Sequence, residues 1–99
     1  MEPLMSKVID AAMKALSGKL GAGFDGVAKF VFLGEGAIMV DAAGVRAGDD
    51  PAEVTLTATT DVFQALLAGE MSAATAYMSG KLALEGPITL AMKLGQALR

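Results

Sequence analysis

The chain contains neither cysteine nor histidine. Disulfides, thiolate nucleophiles, imidazole bases and Cys/His zinc sites are therefore excluded. Long apolar runs are missing as well. The longest stretch without a charged residue is 71–80, ten residues, whereas a helix needs ~20 to cross a bilayer. Glu2, Lys7, Asp10, Lys14 and Lys19 interrupt the first twenty residues, so no signal-peptide core fits there. Ala97-Leu98-Arg99 is not a peroxisomal Ser-Lys-Leu address, and a cytoplasmic location is expected. The eight basic residues are scattered through a chain of net charge −3. They form no basic stripe, which argues against nucleic-acid binding.

Catalytic constellations are absent too. Ser6, Ser17, Ser72 and Ser79 have no histidine to activate them. Glu35, Asp41, Asp49, Asp50 and Glu53 fall near predicted turns and strand edges, where nothing would bury them and separate their pKa values. Asp49-Asp50 reads as a turn rather than a metal site. Gly34-Glu35-Gly36 lacks the downstream glycine of a dinucleotide loop and precedes a strand, so it is assigned to a hairpin. No enzyme, cofactor or metal is expected.

What the chain has in excess is apolar surface. With its 12 glycines and without Tyr77, 64 of its 99 residues are apolar, against roughly 45–50% in ordinary domains. A chain of this length makes one domain with one core, assigned to 1–99. The surplus must fill an unusually dry core, line a cavity or meet a partner.

Residues 4–20 predict an amphipathic helix, with Met5, Val8, Ile9, Ala12, Leu16 and Leu20 on one face and Lys7, Asp10 and Lys14 opposite. Gly18, Gly21 and Gly23 mark its end. Residues 24–33 are rich in aromatic and β-branched side chains and predict a strand. Phe24, Ala28, Phe30 and Phe32 share one of its faces. The other face turns apolar at Val31 and Leu33, which suggests a central strand. Strands over 37–42 and 45–47 follow, joined by a tight turn at Ala43-Gly44. Residues 53–59 alternate, with Val54, Leu56 and Ala58 facing inward. Thr60 or Asp61 caps a helix whose buried side is Val62, Phe63, Leu66 and Leu67 and whose stop is Gly69. Ser72 caps a short helix through Met78, and Gly80 breaks it. Residues 81–85 form a fifth strand, and Pro87 opens a last helix that runs to about Leu98. The order implies an α+β fold with a five-stranded, mixed, largely antiparallel sheet.

The last helix is apolar over too wide an arc to face a single neighbour. Among Ile88 to Leu94, only Thr89 and Lys93 are polar. Three of the seven methionines, Met71, Met78 and Met92, lie in the second half of the chain. Methionine fills core gaps, but it also suits surfaces that adapt to varied apolar shapes. A cavity with such walls would bind an alkyl or isoprenoid chain, each buried CH₂ contributing ~0.8 kcal/mol.

Residues 60–94 resemble the sterol carrier protein 2 (SCP-2) domain family. The resemblance rests on Thr60-Asp61-Val62-Phe63 opening a helix that ends at Gly69, and on Ala76-Tyr77-Met78-Ser79 preceding Gly80-Lys81-Leu82-Ala83-Leu84-Glu85-Gly86. It extends to Leu90-Ala91-Met92-Lys93-Leu94. The resemblance implies a sheet covered on one face by helices, with an apolar tunnel between the layers. It implies non-enzymatic binding and transfer, or presentation, of fatty acyl chains, acyl-CoA, phospholipids, sterols or isoprenoids. Carried onto this chain, the tunnel wall would include Phe63, Leu66, Met71, Ala74, Tyr77, Met78, Leu84, Ile88, Ala91, Met92 and Leu94. Its floor would be Phe30, Phe32, Leu56 and Leu82. Three positions depart from the family pattern: Ser72-Ala73 replaces a common Asn-Pro, Pro87 a common Asp or Asn, and Gly95 a common glutamine. Gly95 in place of glutamine favours a simple apolar ligand over a head-group contact. Implied partners are a lipid, a transient membrane surface or a lipid-metabolising enzyme, with the chain a monomer or weak homodimer. The alternative is a protein–protein interaction or dimerisation module built on the same apolar helices, or an accessory factor in lipid or quinone metabolism.

Overall fold

The computed structural model describes residues 7–20 and 23–97. Met5, Gly21 and the predicted end of the last helix at Leu98 lie outside them. Helix α1 (Lys7–Leu20) buries Ile9, Ala12, Leu16 and Leu20, the stripe expected from their spacing. Gly18 lies within this helix and does not end it. Strands β1 (Ala28–Phe32), β2 (Gly36–Asp41) and β3 (Gly44–Ala47) form an antiparallel meander. Strand β4 (Val54–Ala58) then pairs parallel with β1 on its other side, and β5 (Ala83–Glu85) pairs antiparallel with β4. The sheet order is β3-β2-β1-β4-β5, so β1 is central, as its two apolar faces suggested. The predicted fifth strand is shorter than expected, beginning at Ala83 rather than Lys81.

One face of the sheet carries Ala28, Phe30, Phe32, Ile38, Val40, Val54, Leu56 and Ala58, all buried with the helical residues in one core. The opposite face is not simply open to water. Met39 points there by strand parity, yet it is fully buried and stands apart from that core. The β3–β4 connection covers it. A Cβ on Gly48 would sit 3.3 Å from Met39 Cγ, and the Lys29 ammonium, on the same face, donates to Asp49 at 2.8 Å. Glu53 Oε1 accepts from the Val27 N–H at 2.9 Å and fixes the far end of this strap. The expected solvated loop at 48–51 therefore also acts as a cover.

Three of the carboxylates screened for chemistry, Asp41, Asp49 and Glu53, hold turns and loops. Asp41 accepts from Arg46 at 2.7 Å and from the Ala43 N–H at 2.9 Å, pinning the β2–β3 turn. The Arg46 guanidinium, helped by the Ala43 N–H, keeps the Asp41 carboxyl below its ordinary pKa.

Helices α2 (Thr60–Leu67) and α3 (Ala73–Met78) follow β4. Thr59 caps α2, its hydroxyl accepting from the Val62 N–H at 3.4 Å. The cap is one residue earlier than the Thr60/Asp61 expectation, because Thr60 already has helical geometry. Ser72 caps α3 as expected, accepting from the Thr75 N–H at 3.1 Å.

Both helices end in the same way. At Gly69 (φ +78°), the Glu70 N–H reaches Ala65 O at 2.9 Å and the Gly69 N–H reaches Leu66 O at 3.2 Å. At Gly80 (φ +79°), Lys81 and Gly80 make the equivalent bonds to Ala76 and Tyr77. These are Schellman closures, which need a residue at positive φ. Helix α4 (Ile88–Ala97) is the last element. Pro87 precedes it and accepts the first helical bond, from the Ala91 N–H at 3.2 Å. It therefore sits one position before the first helical residue, not on it. Among the described residues, no helix is long and apolar enough to cross a membrane.

Candidate functional site

Helix α4 answers the question its composition raises. At roughly 100° per residue, Leu90, Leu94 and Ala97 fall on one stripe. Ile88, Ala91, Met92 and Gly95 fall on a second, displaced by about 140°. Leu94 is fully buried, and Leu90 and Ala97 pack against the core. The second stripe does not meet the core alone. It forms one wall of an open cavity of about 730 Å³ between α4, α3, the end of α2 and the β4–β5 edge of the sheet. Thr89 and Lys93 face neither neighbour and lie on the remaining, solvated arc.

The floor of this cavity comes from the strands. Leu56 on β4 lies directly opposite Leu84 on β5, with Leu82 just before that strand. Leu66 projects from α2, and Met71, Ser72, Ala73, Ala74, Tyr77 and Met78 come from the α2–α3 link and α3. The cavity stays open because α3 and β5 are short, six and three residues. Tyr77, Met78, Ile88 and Met92 are 49%, 84%, 57% and 61% exposed on its rim. No charged side chain lines it among the described residues.

Eleven of the residues expected at a site line the cavity: Leu56, Leu66, Met71, Ala74, Tyr77, Met78, Leu82, Leu84, Ile88, Ala91 and Met92. Phe30, Phe32, Phe63 and Leu94 do not. Phe30 shares its level of the sheet with Leu56, but Phe63 closes over it from α2. The Phe63 ring centroid is 5.8 Å from that of Phe30, edge-on, and 4.3 Å from that of Phe32. The three rings therefore fill the interlayer space beside the cavity, and Leu94 seals the core beneath α4.

Gly69, Ser72, Ala73, Gly95 and Gln96 line the cavity without having been singled out as site residues. Gln96 is the informative one. The absence of glutamine at position 95 pointed away from a polar contact, yet the next residue brings an amide to the wall. Its place at the edge of the Ile88–Gly95 stripe follows from helical spacing once that stripe is known to face a cavity.

Residues 5–99 match the model of the SCP-2 sterol transfer family. No curated protein matches the chain. Similar solved structures include sterol carrier protein 2 like 2 from Aedes aegypti, 22% identical with a TM-score of 0.76 over 90% of this chain and 94% of that one. Sterol carrier protein domain 2 of Helicoverpa armigera is 23% identical, with a TM-score of 0.74 over 100% of this chain and 91% of that one. Sterol carrier protein 2 from Aedes aegypti, in complex with the C16 fatty acid palmitate, is 24% identical, with a TM-score of 0.69 over 99% of this chain and 96% of that one. At these identities the structural likeness is one of fold. The family match along nearly the whole length, together with the shared five-stranded sheet and four helices, establishes that this chain belongs to the SCP-2 sterol transfer family.

Proposed function

We propose that this chain binds the hydrocarbon part of a lipid in the α3–α4 cavity and carries it, or presents it to an enzyme, without performing chemistry itself. The observation that carries this reading is the cavity: about 730 Å³, within the roughly 300–1,000 Å³ of small-molecule sites, with an apolar floor and a lining that is mostly apolar and carries no charged side chain. Family membership and the palmitate held by the Aedes aegypti relative support it. In this role residues 1–99 act as one cytoplasmic lipid-binding domain, and the eleven cavity residues named above contact the ligand. A membrane surface or a lipid-metabolising enzyme supplies or receives the cargo.

The test is a fluorescent fatty-acid titration with native mass spectrometry of the purified chain. Saturable one-to-one binding is expected. Met92→Asp should abolish it, because it sets a hydrated charge against the chain. Met92 is 61% exposed, so the variant should keep its fold. No saturable binding by the unaltered chain would sink the proposal.

The exposure of Met78 and Met92 also favours a second reading, in which the same helices dock a partner protein or a second copy. That reading predicts a concentration-dependent mass in sedimentation and no uptake of fatty acid.

A further inference from the structure

The chain has neither cysteine nor tryptophan, which leaves thioethers as its most readily oxidised side chains. The described methionines differ sharply in access. Met39 is fully buried, and Met13 and Met71 are half-buried and packed against the core. Met78 and Met92 are 84% and 61% exposed, and neither packs against the core. Both line the α3–α4 cavity, Met78 from the end of α3 and Met92 from the middle of α4. The two most open thioethers therefore sit where a change of polarity reaches the cavity and spares the interior.

Oxygen transfer from a peroxide is the chemistry such positions invite. A sulfur lone pair attacks one peroxide oxygen, and the O–O bond breaks as the S–O bond forms. The proton on the transferred oxygen passes to the departing hydroxide, which leaves as water. Sulfur loses two electrons and the peroxide gains them. The product is a polar, chiral sulfoxide in place of a flexible apolar group. A hydrocarbon chain laid against it would strip water from the new oxygen and give it no hydrogen bond in return.

Resting on the lipid-binding reading above, we infer that Met78 and Met92 form a reversible oxidation site, at which a peroxide weakens the hold on the hydrocarbon chain without unfolding the protein. Reversal needs two electrons from outside, since the chain has no thiol of its own. A thiol-dependent sulfoxide reductase supplies them: two thiols become a disulfide, and the sulfoxide oxygen leaves as water.

The experiment treats the full chain with hydrogen peroxide, maps oxygen gain by peptide mass spectrometry and titrates palmitate before and after. Met78 and Met92 should be oxidised ahead of Met13, Met71 and Met39. With both converted, palmitate affinity should fall at least about tenfold, while far-ultraviolet circular dichroism stays the same. Sulfoxide reductases for both epimers, supplied with a dithiol, should restore the affinity to within about twofold. The double variant Met78→Leu, Met92→Leu keeps both positions apolar without a sulfur. Its own affinity, whatever its starting value, should change less than about twofold under the same peroxide dose. Oxidation that favours the half-buried methionines would overturn the inference, as would full conversion of Met78 and Met92 with unchanged affinity. Loss of affinity accompanied by unfolding, an equal loss in the leucine variant, or failure of the reductases to restore binding would also overturn it. If the untreated chain does not bind palmitate saturably, the lipid-binding reading fails and takes this inference with it, a result distinct from binding that peroxide leaves intact.

Discussion

Ala91→Leu tests whether the second stripe of α4 meets ligand. Ala91 lies on the cavity wall, half-buried, at the middle of the Ile88–Gly95 stripe. Leucine adds three carbons there and is a strong helix former, so the helix itself should be preserved. Those carbons occupy space that a bound chain would otherwise fill. If three methylenes are displaced, the loss at ~0.8 kcal/mol each is about 2.4 kcal/mol, or roughly 60-fold in Kd. The loss should fall on chains long enough to fill the cavity and spare shorter ones. Fatty acids of increasing length, titrated by displacement of a fluorescent probe, would locate the point where affinity stops rising. In the unaltered chain each added CH₂ should tighten binding about fourfold up to that point, and Ala91→Leu should move it to shorter chains. Thr89→Leu, on the solvated arc of the same helix, is the control and should leave the series unchanged. Unchanged long-chain affinity in a folded Ala91→Leu protein would refute the assignment of this stripe to a ligand.

Other expectations concern the frame that holds the cavity. Gly86 has φ +119°, and a Cβ there would collide with the Glu53 carbonyl oxygen and lie 2.9 Å from Val54 Cα. Gly86→Ala should therefore cost at least ~1–3 kcal/mol, read as a lower urea midpoint, because backbone atoms cannot move aside as a flexible side chain would. Ser72→Ala removes the α3 cap and should cost about 1 kcal/mol, with amide exchange rising first in α3. Asp41 has a folded-state pKa below its ordinary value through Arg46. Its contribution is thus present above the unfolded carboxyl pKa of ~3.9 and is lost as pH falls from there through the lower folded value. Acid unfolding followed by circular dichroism should show a smaller slope in that window for Arg46→Met than for the unaltered chain.

The elements most legible in the sequence were those set by local rules. The alternation of Val54, Leu56 and Ala58 predicted β4 and its inward face. Gly69 and Gly80 predicted two helix stops because Schellman closure needs positive φ, which glycine adopts without a Cβ clash. Less legible was the choice of the α2 cap among Thr59, Thr60 and Asp61, three adjacent residues with suitable side chains. The burial of Met39 was not legible at all. Strand parity put it on the face away from the helices, and only the path of the 48–53 connection covers it.

The candidate site divides in the same way. Composition determined from sequence alone that α4 had more apolar face than one neighbour could use, and the family resemblance put Ile88, Ala91, Met92 and Leu94 on one wall, from which the structure turns Leu94 into the core. Whether an inward-facing side chain meets another side chain or open space depends on what lies across the interlayer gap. Phe30 and Leu56 occupy equivalent positions on adjacent strands. Phe63 covers the first, while the cavity opens over the second. That difference is set by where α2 crosses the sheet and by how little of the β5 edge the short α3 can cover, and both are properties of packed layers that no local pattern encodes.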